Sequence, residues 1–173
     1  MPDATGLELL AQELRDADAA ADTVEATVFF RDRGTIVVAP ARIREALTLM
    51  RERGYRFLAS LHGSDHYPEE PRLAVHYELL DMEKVDRITL KARVPLEHPE
   101  IDSIVDLWAG ADHQEREVYD MFGVVFNGHP DLRRILMPED YEGFPQRRDF
   151  PVGGEPIIFT YNEKQVPGWL EGQ

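Results

Sequence analysis

From Val124 to the C-terminus the chain can form neither a long helix nor a central strand, because prolines interrupt it at Pro130, Pro138, Pro145, Pro151, Pro156 and Pro167. Each proline removes a backbone N–H and clashes with the preceding helical turn, and none can donate to a sheet ladder. These six are half of the twelve prolines in the 173 residues. The segment is nevertheless apolar, with Val125, Phe126, Leu132, Ile135, Leu136, Phe144, Phe150, the Ile157-Ile158-Phe159 run and Trp169. A disordered tail is poor in such residues. The combination predicts an extended arm over residues 124–173 that completes itself by burial against another polypeptide. The alternative is that it folds back over its own domain.

Residues 1–123 read as that domain. Thr5 and Glu8 have capping-box spacing, and Leu7, Leu10, Ala11 and Leu14 recur at helical intervals behind them. Val24, Ala26, Val28 and Phe30 alternate as on a half-buried strand, Arg31–Gly34 turns the chain, and Thr35–Val38 returns it. Pro40 suits the first turn of a second helix bearing Ile43, Ala46, Leu47 and Met50, which Gly54 terminates. Three more alternations follow: Tyr55, Phe57, Ala59, Leu61; Leu73, Val75, Tyr77, Leu79; and Ile88, Leu90, Ala92, Val94. This order predicts an α+β two-layer sandwich, with helices on one face of a mixed, mainly antiparallel sheet. Past Pro95, Ile101, Ile104, Val105 and Trp108 suggest a short helix. Asp112 reads as the N-cap of another, with Glu115 at its third position, Val118, Met121 and Phe122 on its apolar face, and Gly123 as its C-terminal cap.

Composition narrows the chemistry. There is no cysteine, so the chain supplies no disulfide, cysteine nucleophile or thiolate ligand for an iron–sulfur cluster. A net charge of −14 disfavours nucleic acid and anionic lipid, whose binding needs Lys and Arg. No apolar run approaches the roughly 20 residues that span a bilayer. Met1–Glu13 has neither a basic nor a hydrophobic region of the secretory kind, so no signal peptide is expected.

No constellation of residues makes a convincing catalytic site. His113 and Glu117 stand one helical turn apart, but a metal would need two more ligands, from His62, Asp65 or His66. Hydrogen-bonded or solvated side chains are the ordinary explanation. Gly153-Gly154 is the only glycine pair and forms no phosphate cradle. Glu115 and Glu117 invite acid–base chemistry, yet a helix-surface charge network is the simpler reading, with Arg116 in reach of Asp112 and Asp120. Arg133-Arg134 and Arg147-Arg148 sit within the apolar arm, where planar guanidinium groups suit a desolvated interface.

Glu115-Arg116-Glu117-Val118-Tyr119-Asp120-Met121-Phe122-Gly123, then Phe126 and Gly128-His129-Pro130-Asp131-Leu132-Arg133-Arg134-Ile135-Leu136, resembles the signature of one family. Pro145-Gln146-Arg147-Arg148-Asp149-Phe150-Pro151 resembles that family's next segment. It is the thirty-kilodalton subunit of complex I, the C subunit of bacterial NADH–quinone oxidoreductase. The resemblance implies an α+β domain whose C-terminal extension runs over the D subunit near the quinone-reducing end, with the B and I subunits as further neighbours. It also implies a structural, assembly role in a proton-translocating complex at the cytoplasmic face of the inner membrane, held peripherally through the complex. No cofactor is expected on this chain; flavin, iron–sulfur clusters and quinone belong to other subunits. Glu115, Arg116, Glu117, Tyr119, Asp120 and Phe122 would lie at the exit from the domain. His129, Asp131, Arg133, Arg134, Arg147, Arg148 and Phe150 would belong to the docking extension. Related subunits of membrane-bound hydrogenases and coenzyme F420-dependent dehydrogenases are the alternative.

Overall fold

The computed structural model describes residues 4–17 and 23–151. Helix α1 (Ala4–Ala17) leads to strands β1 (Val24–Phe30) and β2 (Arg33–Val38). A 3-10 turn over Pro40–Arg42 opens into helix α2 (Ile43–Glu52), followed by β3 (Phe57–Asp65), β4 (Leu73–Asp81) and β5 (Asp86–Val94). Short β6 (Glu100–Asp102), helix α3 (Ala111–Phe122) and short β7 (Val125–Asn127) complete the elements. The main sheet has the order β1-β2-β5-β4-β3, with β2 parallel to β5 and every other pairing antiparallel. The fold is α+β, as the sequence pattern predicts.

Period-two alternation explains the core. Leu73, Val75, Tyr77 and Leu79 of β4, and Ile88, Leu90, Ala92 and Val94 of β5, are all fully buried. Leu7, Ala11 and Leu14 of α1, and Ile43, Ala46, Leu47 and Met50 of α2, join the same cluster. One face of the sheet therefore carries the helices, and removal of this apolar surface from water is the main stabilising term.

Four local expectations are corrected. Thr5 lies inside α1, which is helical from Ala4. In β1 the expected inward face is bare: Val28 is 49% and Phe30 66% exposed. β1 has only β2 as a neighbour, and α1 covers its other side, where Thr27 donates to Glu8. In β3 a bulge between Leu58 and Ser60 resets the register, so Leu58 and Leu61 point inward while Phe57 points out and Tyr55 precedes the strand. Around Ile101 there is a strand, not a helix: β6 pairs in parallel with β7, burying Ile101 and Phe126. The β1–β2 turn is a two-residue reversal with Arg31 and Asp32 both at positive φ, the geometry that matches strand twist.

Candidate functional site

The residues singled out by their pattern converge where α3 meets the arm. The helix starts at Ala111 behind Gly110, so Asp112 sits in the first turn instead of capping it. It ends at Gly123, whose φ of 76° is the left-handed cap and whose N–H bonds the Tyr119 carbonyl. α3 guards the β3 edge: Gln114 Oε1 accepts the Leu61 N–H at 2.6 Å, satisfying an edge donor. Phe122 lies so close over Gly63 that a Cβ there would sit 2.5 Å from its ring.

Asp120 is the centre of the junction. Its side chain is fully buried, and Oδ2 accepts the backbone N–H groups of Ile135, Leu136 and Met137 at 3.0, 2.7 and 2.8 Å. Oδ1 accepts from Arg134 Nη1 at 2.7 Å. Burial pushes this carboxyl up, but the three amides and the guanidinium outweigh it and hold it below the usual carboxylate range. Arg134 extends the clasp by donating to the Gly143 carbonyl at 2.9 Å and lying over the Tyr141 and Phe144 rings.

The other arginines also bond to main chain. Arg116 donates to the carbonyls of Arg133 and Arg134, each at 3.2 Å, and not to Asp112 or Asp120 as its spacing suggests. Arg147 Nε donates to the Phe122 carbonyl at 2.6 Å, and Gln146 N–H to that of Met121 at 3.1 Å. Both satisfy carbonyls that the end of a helix leaves open, and a cation is favoured there by the helix dipole.

A second clasp fixes the far end of the described arm. Arg72, almost wholly buried, binds Asp65 at 2.8 and 2.6 Å and Asp149 at 2.8 and 2.7 Å. The Arg148 N–H adds a bond to Asp65 at 2.7 Å. The paired guanidinium holds Asp65 well below the ordinary carboxylate range and lowers Asp149 as well. Between the clasps the arm keeps little regular structure yet has fixed attachment points.

Glu115 is fully buried on the inner side of α3, not on a surface charge network. Its Oε1 accepts the Ile104 N–H at 2.8 Å, while Oε2 has no hydrogen-bond partner among the described residues and lies 4.0 Å from His129 Nε2. Burial pushes its carboxyl upward, only partly opposed by Ile104 and Ser103. The Asp131 N–H donates to His129 Nδ1 at 3.0 Å, which assigns the ring proton to Nε2, 3.2 Å from Asp112 Oδ1.

Asp120, Arg116, Arg134, Arg147, Glu115 and His129 are thus brought together. Tyr119 packs edge-on against Phe144, whereas Phe150 stacks on Tyr141. Glu117 and Arg148 lie exposed, and Asp131 and Arg133 pair with each other at 60% and 59% exposure. His113 faces solvent, and among the described residues no group of three or more His, Asp or Glu is arranged to hold a metal. Sequence reasoning missed Arg72 and Asp149, which stand 77 residues apart, and Gln114, whose partner is a backbone amide. The Gly153-Gly154 pair and the apolar run near Trp169 lie outside the described residues. No helix among those residues is long and apolar enough to cross a membrane.

Comparison with known proteins agrees with this geometry. Residues 36–156 match the family described as respiratory-chain NADH dehydrogenase, 30 Kd subunit. The NADH-quinone oxidoreductase C subunit of Roseiflexus sp. is 40% identical over 96% of this chain and 94% of its own length. NADH-quinone oxidoreductase subunit 5 from Thermus thermophilus is 40% identical over 76% of this chain and 68% of its own. Among solved structures, a trypsin-resistant fragment of Nqo5 superposes with a TM-score of 0.64 at 32% identity, over 73% of this chain and 98% of the fragment. A chain of an archaeal membrane-bound sulfane sulfur reductase superposes at 0.70 with 23% identity, over 91% of this chain and 90% of its own, which shows a shared fold. The chain belongs to the 30 Kd subunit family of the respiratory-chain NADH dehydrogenase, the family of the NADH-quinone oxidoreductase C subunit in complex I.

Proposed function

We propose that the chain is a cofactor-free structural and assembly subunit of the peripheral arm of a proton-translocating NADH-quinone oxidoreductase. Its arm, residues 124–173, docks on the D subunit near the quinone-reducing end, with the B and I subunits as further neighbours. It works at the cytoplasmic face of the inner membrane, held there through the complex. The observation that carries this reading is the two-sided character of the arm. Its inward groups are bound by Asp120, Arg116 and Arg72, whereas Leu136 stays 61% and Arg133 59% exposed. A segment tied down by main-chain bonds while holding out apolar and charged side chains is pre-ordered for a partner, which lowers the entropy lost on docking.

The two neighbouring arginines separate folding from docking. Arg133→Ala leaves the isolated chain's thermal midpoint unchanged but lowers the amount of assembled complex, with normal NADH–quinone turnover per assembled complex. Arg134→Ala strands the buried Asp120 and destabilises the chain itself. Normal assembly with lost turnover in Arg133→Ala would sink the structural reading.

A further inference from the structure

Among the described residues, no helix covers the face of the sheet opposite the helices. It carries Val28 and Phe30 of β1, Thr35 and Val37 of β2, Thr89, Lys91 and Arg93 of β5, His76, Glu78 and Leu80 of β4, and Ser60 and His62 of β3, as the register dictates. The buried apolar residues of all three helices join the cluster on the other side, and Ala74, though buried on this face, is not part of it. Among the described residues, the 66–72 loop reaches over one end: His66 Nε2 meets Lys91 Nζ at 3.1 Å, and the Pro71 carbonyl accepts from Arg93 Nε at 2.8 Å.

Two properties distinguish this face. First, its charge runs against the chain. In a protein of net charge −14, Arg33, Arg87, Lys91 and Arg93 share the face with one carboxylate, Glu78, whose Oε1 accepts from Thr89 while Oε2 has no hydrogen-bond partner among the described residues. The loop adds Glu69, at 3.8 Å from Arg93, yet Arg93 Nη2 is buried with no hydrogen-bond partner among the described residues. His62 and His76 stack in parallel at 4.9 Å beside these cations. His76 is pushed down to about 3 by burial first and then by His62, Lys91 and His66, and burial together with Arg93 pushes Lys91 down as well. The local field is positive and under-compensated. Second, apolar side chains flank the cationic strip on both sides: Val28 and Phe30 at 49% and 66% exposure, and Phe57 at 51% beside Leu80. An apolar margin around a cationic strip that holds a buried, unsatisfied guanidinium donor is the composition of an interface.

We propose that this open sheet face is a second docking surface, separate from the arm, and that its occupant is an acidic amphipathic segment of a neighbouring subunit. Carboxylates of that segment pair with Lys91 and Arg93, and its apolar side chains cover Phe30 and Phe57. Charge complementarity selects the occupant: a basic or purely apolar segment would bury the Lys91 ammonium with His66 but no carboxylate beside it and leave the Arg93 Nη2 donor unsatisfied, which is costly. The inference rests on the reading that the chain works inside a multisubunit complex, but not on where the arm docks.

Lys91 is one of only three lysines, with Lys84 and Lys164, so amine chemistry reads the face directly. The purified complex and the isolated full chain are each treated with an amine-acetylating reagent, and Lys91 modification is followed by mass spectrometry. A second sample of the complex is treated with a carbodiimide, which joins amines to touching carboxylates. The proposal expects Lys91 to react at least tenfold more slowly in the complex and to be coupled to an Asp or Glu of another subunit. Equal reactivity in both samples overturns it, as does protection of Lys91 with no carboxylate coupled. Lys91→Glu should reduce incorporation of the chain into the complex while Lys91→Arg restores it; equal incorporation of the two variants also overturns it. If Arg133→Ala leaves assembly intact while Lys91 is protected and coupled, the arm reading fails and this one stands.

Discussion

A carboxylate that accepts three consecutive backbone N–H groups and one arginine Nη1, as Asp120 does, makes a demand its neighbours in sequence cannot meet. Asp120→Asn removes the charge and places an amide where acceptors are needed. Losing one partner of a buried pair costs about 3–5 kcal/mol, to be read from urea unfolding of the isolated chain. Acid acts by the same route. Asp120, Asp65 and Asp149 all titrate lower folded than unfolded, so their stabilisation is complete above the ordinary carboxylate range and fades as pH falls through the depressed values. The urea midpoint should therefore drop below about pH 4, with a smaller drop in Asp120→Asn. Glu115 has the opposite sign. Its raised value means that its folded-state preference for the proton is satisfied in acid and becomes a liability as pH rises past the unfolded value. Glu115→Gln, which keeps the acceptor for Ile104, should match or exceed the parent in thermal midpoint at pH 7, whereas Glu115→Ala should fall below it. That Asp120 and Arg134 matter is visible in their motif. That they clasp each other is not, because the turn bringing residues 134–137 back onto α3 has no periodic signal.

At the scale of elements, β4 and β5 are legible because strict alternation in a strand with neighbours on both sides leaves one solution: the wrong register would bury His76 and Lys91 with the core. β1 and β3 are edges, and edges escape that constraint. β1 shows its alternating apolar residues to solvent, and β3 slips by a bulge that no composition cue announces. The β6–β7 pair is hidden for a related reason, since three-residue strands carry too little pattern to be read. Gly63 shows how an edge is finished: a methyl group there would meet the rigid Phe122 ring. Gly63→Ala should cost about 1–3 kcal/mol in the isolated chain through overpacking. It should also loosen α3 from β3, read as faster exchange of the Leu61 amide that Gln114 now holds.

For the whole molecule, the picture is a two-layer domain with an arm fastened at both ends of its described length. The proline-broken C-terminal region is expected from its sequence to find its partners on another polypeptide, and over residues 124–151 many of its polar groups find them on α3 and Arg72 instead. The outward side chains remain for the neighbour. Hydrogen exchange of the Ile135, Leu136 and Met137 amides in the isolated full-length chain tests this most directly. The account predicts protection of all three in the parent chain and its loss in Asp120→Asn, with the β4 and β5 amides unaffected. Exchange of these three amides at the rate of an unstructured peptide in the parent chain would contradict it.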